Sequence, residues 1–304
     1  MPIVPFTEGL HRLTANCAAW LEPPGGWGLS NSGVVRSGDE LLIIDTQNDV
    51  PMANRLHAAL GSADRVTIVN THHDIDHWAG NGVFGADRII ATASADFSGA
   101  PSPDGLTELA RPGTALAEWA RRHDETFDYS GWRRVEPNET FTGSLTVVIG
   151  DVTVRLIEVG PAHTVGDAIV HIPEHGVVFA GDILFHESTP ISWVSVSGQI
   201  QACETILSLD PEVVVPGHGP VSDQHGVRAV RDYLGFVHDY ASRCYSAGMP
   251  VERAYRGIEL GAYRAWPHAS RVYQNIACVY SELSGEPPLP PAEVMEPIIE
   301  GEQE

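Results

Sequence analysis

The stretch Thr71-His72-His73-Asp74-Ile75-Asp76-His77-Trp78 constrains this chain more than any other. It follows directly on an apolar run, Arg65 to Asn70, that reads as a strand, and it places four ligand-type side chains, His72, Asp74, Asp76 and His77, within six residues. A loop at a strand end can fold such residues around one point. Imidazoles and carboxylates at this density predict a metal centre rather than a polar surface turn. His73, on strand-like alternation, points away from His72 and Asp74 and reads as a supporting or core histidine.

Three more residues occupy similar positions further along. They are His163 in Gly160-Pro161-Ala162-His163-Thr164, Asp182 in Phe179-Ala180-Gly181-Asp182, and His218 in Pro216-Gly217-His218-Gly219. Each follows an apolar segment and is flanked by Gly or Pro, so a tight turn can aim its side chain into a cleft.

The surrounding pattern is mixed. Short strands are predicted from Leu10 to Trp20, Gly33 to Arg36 and Leu41 to Asp45, and a helix over Val50 to Leu60 with Gly61 as its stop. The strand, helix, strand order into Arg65 to Asn70 implies a parallel pair in a layered α/β fold. Between residues 93 and 137 the character changes: Pro101, Pro103 and Pro112 precede a polar helical stretch from Thr114 to Phe127, read as an insertion or lid over the cleft. Strands resume at Leu145 to Ile149 and Val152 to Val159, joined by the two-residue Gly150-Asp151 turn of a hairpin. Val177 to Ala180 and Val213 to Val215 are short buried strands around a helix near Gln199 to Leu209. From Val221 to Gly285 the pattern is helical, broken at Gly248-Met249-Pro250, and the last stretch is rich in Pro and Glu. The expected organisation is a catalytic domain over 1–221, a helical extension over 222–285 packed on it, and a flexible tail over 286–304.

Charge removes some classes of function. Eighteen Lys and Arg against forty Asp and Glu give a net charge of −22, which argues against nucleic acid and anionic membranes as partners. No apolar run approaches the ~20 residues of a membrane span, and no basic-then-apolar signal pattern opens the chain, so a cytoplasmic enzyme acting on a small molecule is expected. Cys17, Cys203, Cys244 and Cys278 lie far apart and suggest neither a thiolate metal site nor a disulfide framework.

In order and spacing, the seven ligand-type residues resemble the motif of the metallo-β-lactamase superfamily, Thr-His-x-His-x-Asp-His followed by a His, an Asp after Gly and a His in a Pro-Gly-His-Gly turn. The resemblance runs from about Leu10 to Val221, and Gly33, Asp45 and Gly181 fit it too. It implies an α/β fold, a four-layer αββα sandwich with metals at one edge of its two sheets. By the same resemblance, His72 and His163 would hold a first divalent ion, Asp76, His77 and His218 a second, and Asp182 would bridge them. Asp74 stands where the family's second motif His is expected. As a ligand it would add a third carboxylate, make the pair less positive by one charge, and shift preference from zinc toward iron or manganese. The flavodiiron branch of the superfamily is similar in carrying a carboxylate there. That branch binds two irons and reduces oxygen or nitric oxide, so the same chemistry here would need a separate electron donor.

The chemistry implied is hydrolysis of a small ester, lactone or thioester by water activated between two metal ions, with Asp76 orienting that water or taking its proton. The segment Leu184 to Trp193 after Asp182 is expected to line the cleft. Within it His186 is a candidate general acid or substrate contact, and Trp193, with Trp78 and Trp132, a candidate apolar wall. Tyr245, Tyr255, Tyr263, Trp266 and Tyr273 of the helical extension could cap the substrate side, form a homodimer surface, or simply dock the helices on the sheet.

Overall fold

Successive side chains of a strand face opposite ways, and in Leu41-Leu42-Ile43-Ile44 both sets are buried. Leu42 and Ile44 enter one apolar cluster, Leu41 and Ile43 another. A strand that is apolar on both faces needs cover on both, and this requirement builds the layers.

The computed structural model describes residues 4–100, 103 and 112–303. One sheet has seven strands in the order β1 (Gly9–Arg12), β2 (Cys17–Leu21), β3 (Ser32–Ser37), β4 (Glu40–Ile44), β5 (Arg65–Val69), β6 (Arg88–Thr92) and β7 (Glu139–Phe141). The other has five: β8 (Ser144–Ile149), β9 (Val152–Glu158), β10 (Ala168–Ile172), β11 (Val177–Phe179) and β12 (Val213–Val215). The helices are α1 (Val50–Leu60), α2 (Ile75–Trp78), α3 (Ala115–Thr126), α4 (Val196–Ser208), α5 (Gln224–Ser246), α6 (Val251–Gly257), α7 (Val272–Ser284) and α8 (Pro291–Gln303), besides short 3-10 turns.

Between the sheets, Leu42, Ile44, Val69 and Ile90 meet Val154, Leu156, Val170 and Phe179. Outside the first sheet, Ala53 and Leu56 of α1 cover Ile43 and Ile68. Outside the second, Ala202, Cys203 and Ile206 of α4 and Val230 and Leu234 of α5 cover Ile169, Val178 and Val214. The chain is therefore a four-layer αββα sandwich, with Ile276 and Val279 of α7 joining the outer helical layer.

α1 starts where Asp49 accepts a hydrogen bond from Met52 N and stops at Gly61, and it carries β4 over to the parallel β5. The hairpin of β8 and β9 turns at Gly150, with Ile149 opposite Val152. Parallel pairing of β4, β5 and β6, and of β11 with β12, brings the carboxyl ends of several strands to one edge. Ligand sites form in this position because loops leave the sheet there.

Two expectations about the chain's organisation meet the structure differently. Where a flexible tail is predicted over 286–304, residues 291–303 form α8, whose Val294, Met295, Ile298 and Ile299 are buried against Leu116 and Tyr273. The apolar residues recur at i, i+1, i+4 and i+5, a helical stripe that a Pro- and Glu-rich composition disguises. Of the predicted 93–137 insertion, 101, 102 and 104–111 lie outside the described residues, whereas 115–126 is α3, opened by Thr114 accepting from Ala117 N. The four cysteines are buried and unbonded. Among the described residues no helix is long and apolar enough to cross a membrane.

Candidate metal centre

The strand ends deliver the predicted residues to one place. His72, Asp74, Asp76 and His77 follow β5, with Asp76 and His77 on the single turn of α2. His163 lies in the loop between β9 and β10, Asp182 in the 3-10 turn after β11, and His218 just beyond β12. His163 Nε2 lies 3.1 Å from Asp74 Oδ2 and 3.4 Å from Asp182 Oδ2. His72 Nε2 is 3.9 Å from each of the same two oxygens. On the other side, His218 Nε2 is 3.4 Å from both Asp76 Oδ2 and Asp182 Oδ2, and His77 Nε2 is 3.2 Å from Asp182 Oδ1. All seven residues converge, and Asp182 is in contact with both halves. Gly217 permits this approach, because a Cβ there would lie 1.9 Å from Asp182 Oδ1.

Their neighbours fix which ring nitrogen faces inward. Nδ1 of His163 lies 2.7 Å from the Ile191 carbonyl, which can only accept, so this nitrogen carries a proton and Nε2 is the nitrogen turned toward the centre. His77 Nδ1 donates to Asp45 Oδ2 at 2.8 Å. The Thr71 hydroxyl donates to the same oxygen at 2.8 Å and accepts from His72 Nδ1 at 3.0 Å. Asp45 thus orients two imidazoles, one directly and one through Thr71. The His218 ring instead lies flat on Phe185, with centroids 5.1 Å apart and planes 6° from parallel.

Burial lowers His72 well below the ordinary imidazole value. For His163 and His218 burial acts the same way but is outweighed. The Asp74 and Asp182 carboxylates push His163 up to about 9, and Asp182 and Asp76 push His218 up to about 9. Burial raises Asp74, Asp76 and Asp182, yet the adjacent imidazoles leave all three below the ordinary carboxylate range. Three carboxylates facing one point create a strong demand for positive charge.

A divalent cation fits that demand. His72 Nε2, His77 Nε2 and Asp182 Oδ1 are buried without a hydrogen-bond partner, and the ligand atoms of these three residues lie within 4.8 Å of one another. Leaving such atoms unsatisfied costs about 1–3 kcal/mol each, a cost that coordination removes. Histidine nitrogens with carboxylate oxygens suit zinc, iron or manganese.

The centre opens into a cavity of about 550 Å³ whose wall includes Trp27, Leu116, Trp119, His123, Phe185, Trp193 and Met295. Trp193 is where the sequence predicts it. Trp78 is not: it is fully buried, packed edge-on against Phe97 and Trp132, and its Nε1 donates to the His73 carbonyl. It props the ligand loop from behind, because α2 turns His77 inward and its neighbour outward. His186 also lies off the cavity wall, with Nδ1 bonded to the Pro220 carbonyl and its ring against Gly226 of α5. His73 lines the cavity, since residues 71–74 bend rather than continue as a strand. Several wall residues escape the sequence reading, His123 and Arg271 among them. His123 had a signal, the Trp119, His123, Phe127 spacing along one face of α3. Arg271, buried at the start of α7, had none nearby in the chain.

A four-layer α/β sandwich with a histidine and aspartate cluster at one sheet edge defines a class of metal-site proteins. Residues 25–218 match the model of the metallo-beta-lactamase superfamily, and the chain belongs to that family. It is 24% identical over 208 residues to a beta-lactamase-like protein 2 homolog of Drosophila melanogaster, a match covering 64% of this chain and 60% of that relative. Among solved structures it is similar to the stereoselective inverting sec-alkylsulfatase Pisa1 from Pseudomonas sp., with TM-score 0.68 and 16% identity, covering 94% of this chain and 53% of that one. It is also similar to a metallo-beta-lactamase from Pontibacter korlensis, with TM-score 0.56 and 16% identity, covering 75% of this chain and 99% of that one. The chain thus spans only about 53–60% of the length of the fly relative and the sulfatase.

Proposed function

We propose that this protein is a binuclear metal-dependent hydrolase of a small ester, lactone or thioester. In this reading His72, Asp74 and His163 hold one divalent ion, Asp76, His77 and His218 hold the other, and Asp182 reaches both. The observation that carries it is the position of Asp182, whose Oδ2 is 3.4 Å from both His163 Nε2 and His218 Nε2. Ions paired in this way supply Lewis acidity and a water made acidic near neutral pH. The chain's own residues do the rest. Asp76, which lines the cavity with 13% of its side chain exposed, is the proton acceptor in this reading. Trp193 and the other apolar wall residues exclude bulk water and hold the apolar part of a substrate.

The Asp74 carboxylate, 3.1 Å from His163 Nε2, favours a second reading, a di-iron oxygen-activating enzyme served by a separate reductase. Elemental analysis of protein from cells supplied with iron, zinc and manganese separates the two, with Asp74→His alongside. Two zinc ions per chain, with turnover of some member of an ester, lactone, thioester and alkyl sulfate panel, are expected for the hydrolase. Two irons, with zinc returning in the variant and oxygen consumed with a reductant, would move the protein to the redox class. No metal in either form would end both readings.

A further inference from the structure

We propose that Arg271 receives a carboxylate carried by the substrate, at a distance from the bond that is cut, so that ligands of this cavity are apolar bodies with one anionic end. The word substrate rests on the hydrolase reading, whereas the binding preference does not.

Arg271 ends the 3-10 turn Ala269–Arg271 and lines the same cavity as the metal centre. It is only 1% exposed. A buried guanidinium is ordinarily paired with a carboxylate, because removing its charge from water without a counter-charge is costly. Among the described residues Arg271 forms no ion pair. Its hydrogen bond there is from Nη1 to the Thr189 carbonyl at 3.1 Å, and Nε is buried with no partner. Glu302 lies close enough to act on Arg271 through its field, but its carboxylate accepts from Trp27 Nε1 at 3.0 Å and from His268 Nδ1 at 2.7 Å and makes no direct ion pair with the guanidinium.

The guanidinium is positioned rather than loose. Its Cζ lies 4.1 Å from the Trp27 ring centroid and 5.4 Å from that of Phe185, the ring that stacks on His218. Aromatic faces steady a cation but do not neutralise it. The metal centre cannot neutralise it either. With two divalent ions bound, the three carboxylates of Asp74, Asp76 and Asp182 leave no surplus negative charge. A ligand carboxylate would supply the direct partner that the buried Nε lacks, and a planar fork of N–H groups matches a carboxylate. Trp27, Leu116, Trp119, Phe185, Trp193 and Met295 on the wall of the same cavity suit an apolar remainder of that ligand.

The test compares 4-phenylbutyrate with its uncharged amide, 4-phenylbutanamide, by calorimetry on the metal-loaded full chain. The acid is expected to bind tighter by roughly ten- to a hundredfold, the range for a hydrogen bond to a charged group. Arg271→Gln should bring the ratio close to one, and Arg271→Lys, which keeps the charge without the fork, should lower it partway. Equal binding of acid and amide by the wild type would overturn the proposal. So would an acid preference that survives in Arg271→Gln, since the carboxylate would then sit on the metals. If neither variant folds, infrared spectra of 13C-carboxylate-labelled 4-phenylbutyrate on the wild type decide, because the splitting of the two carboxylate stretches separates guanidinium-paired from metal-bound forms. A metal-bound signature would sink the idea. None of these readouts involves hydrolysis, so a failure to hydrolyse any ester leaves this inference standing, and hydrolysis without acid preference refutes this inference alone.

Discussion

The Asp45 side chain bonds to Thr71 and His77, and through them it governs how the ligand loop sits. Its Oδ1 accepts from Thr71 N at 2.8 Å, while Oδ2 accepts from the Thr71 hydroxyl and from His77 Nδ1, each at 2.8 Å. It does this from φ 60°, a left-handed conformation that a non-glycine residue adopts only when its surroundings compensate. Asp45→Ala should leave a buried N–H, a hydroxyl and an imidazole without their acceptor. A loss of about 2–4 kcal/mol in stability is expected from denaturant unfolding. Zinc affinity should fall about 10–100-fold, since an orienting partner of a ligand histidine is lost. Unchanged affinity in a titration against a chromophoric chelator would show that His77 is held by the loop alone. At this scale the candidate ligand residues were legible because four of them crowd into six positions after β5 and the other three stand in short turns with Gly or Pro. Arg271 was not, since a cation closing a cavity from a distant helix leaves no local pattern. Trp78 misled because one residue of helix rotates a side chain by about 100°.

Among the elements, α3 and α8 depend on each other. Glu296 of α8 accepts from Ala115 N at 2.9 Å and Leu116 N at 3.1 Å, so one helix caps the N-terminus of the other. A carboxylate there also meets the positive end of the helix dipole. Glu296→Ala should cost about 1 kcal/mol, the usual worth of a helix cap. Faster amide hydrogen exchange confined to 115–126 and 291–303 is the expected signature, and uniform exchange across the sheets would refute the coupling. Because Leu116, Trp119 and Met295 all line the cavity, loosening this pair should also weaken retention of apolar ligands. Helix α1 was readable from its apolar stripe and Gly61. Strand β10 was harder to read: Ala-Ile-Val-His-Ile is buried throughout and has no polar alternation to mark it. The same holds for α8, whose stripe is interrupted by Pro297 and surrounded by glutamates.

At the scale of the whole molecule, the net charge of −22 attracts cations, and its sharpest local expression is the set of aspartates at the sheet edge. In chelator-treated protein, imidazolium must balance those aspartates. His163 and His218 titrate at about 9 in the fold against an ordinary 6.5. A raised value means that the fold favours the protonated form, so this contribution is complete below pH 6.5 and is lost as pH rises through about 9. His72 has the opposite sign, since burial lowers it below 6.5, and it penalises the fold only on the acid side of that value. Asp76 and Asp182, depressed from 3.8, likewise act only at lower pH. From pH 6.5 to 9 the centre therefore pushes stability one way, downward, by on the order of 3 kcal/mol for each raised imidazole. Metal binding needs those same nitrogens free of protons, so zinc should bind more tightly across the same interval. Scanning calorimetry should show the Tm of the metal-free protein falling from pH 6.5 to 9 while the rise in Tm on adding zinc grows. A metal-free Tm that stayed level or increased over that range would mean the imidazoles are uncharged, and that the aspartates are neutralised by protons of their own.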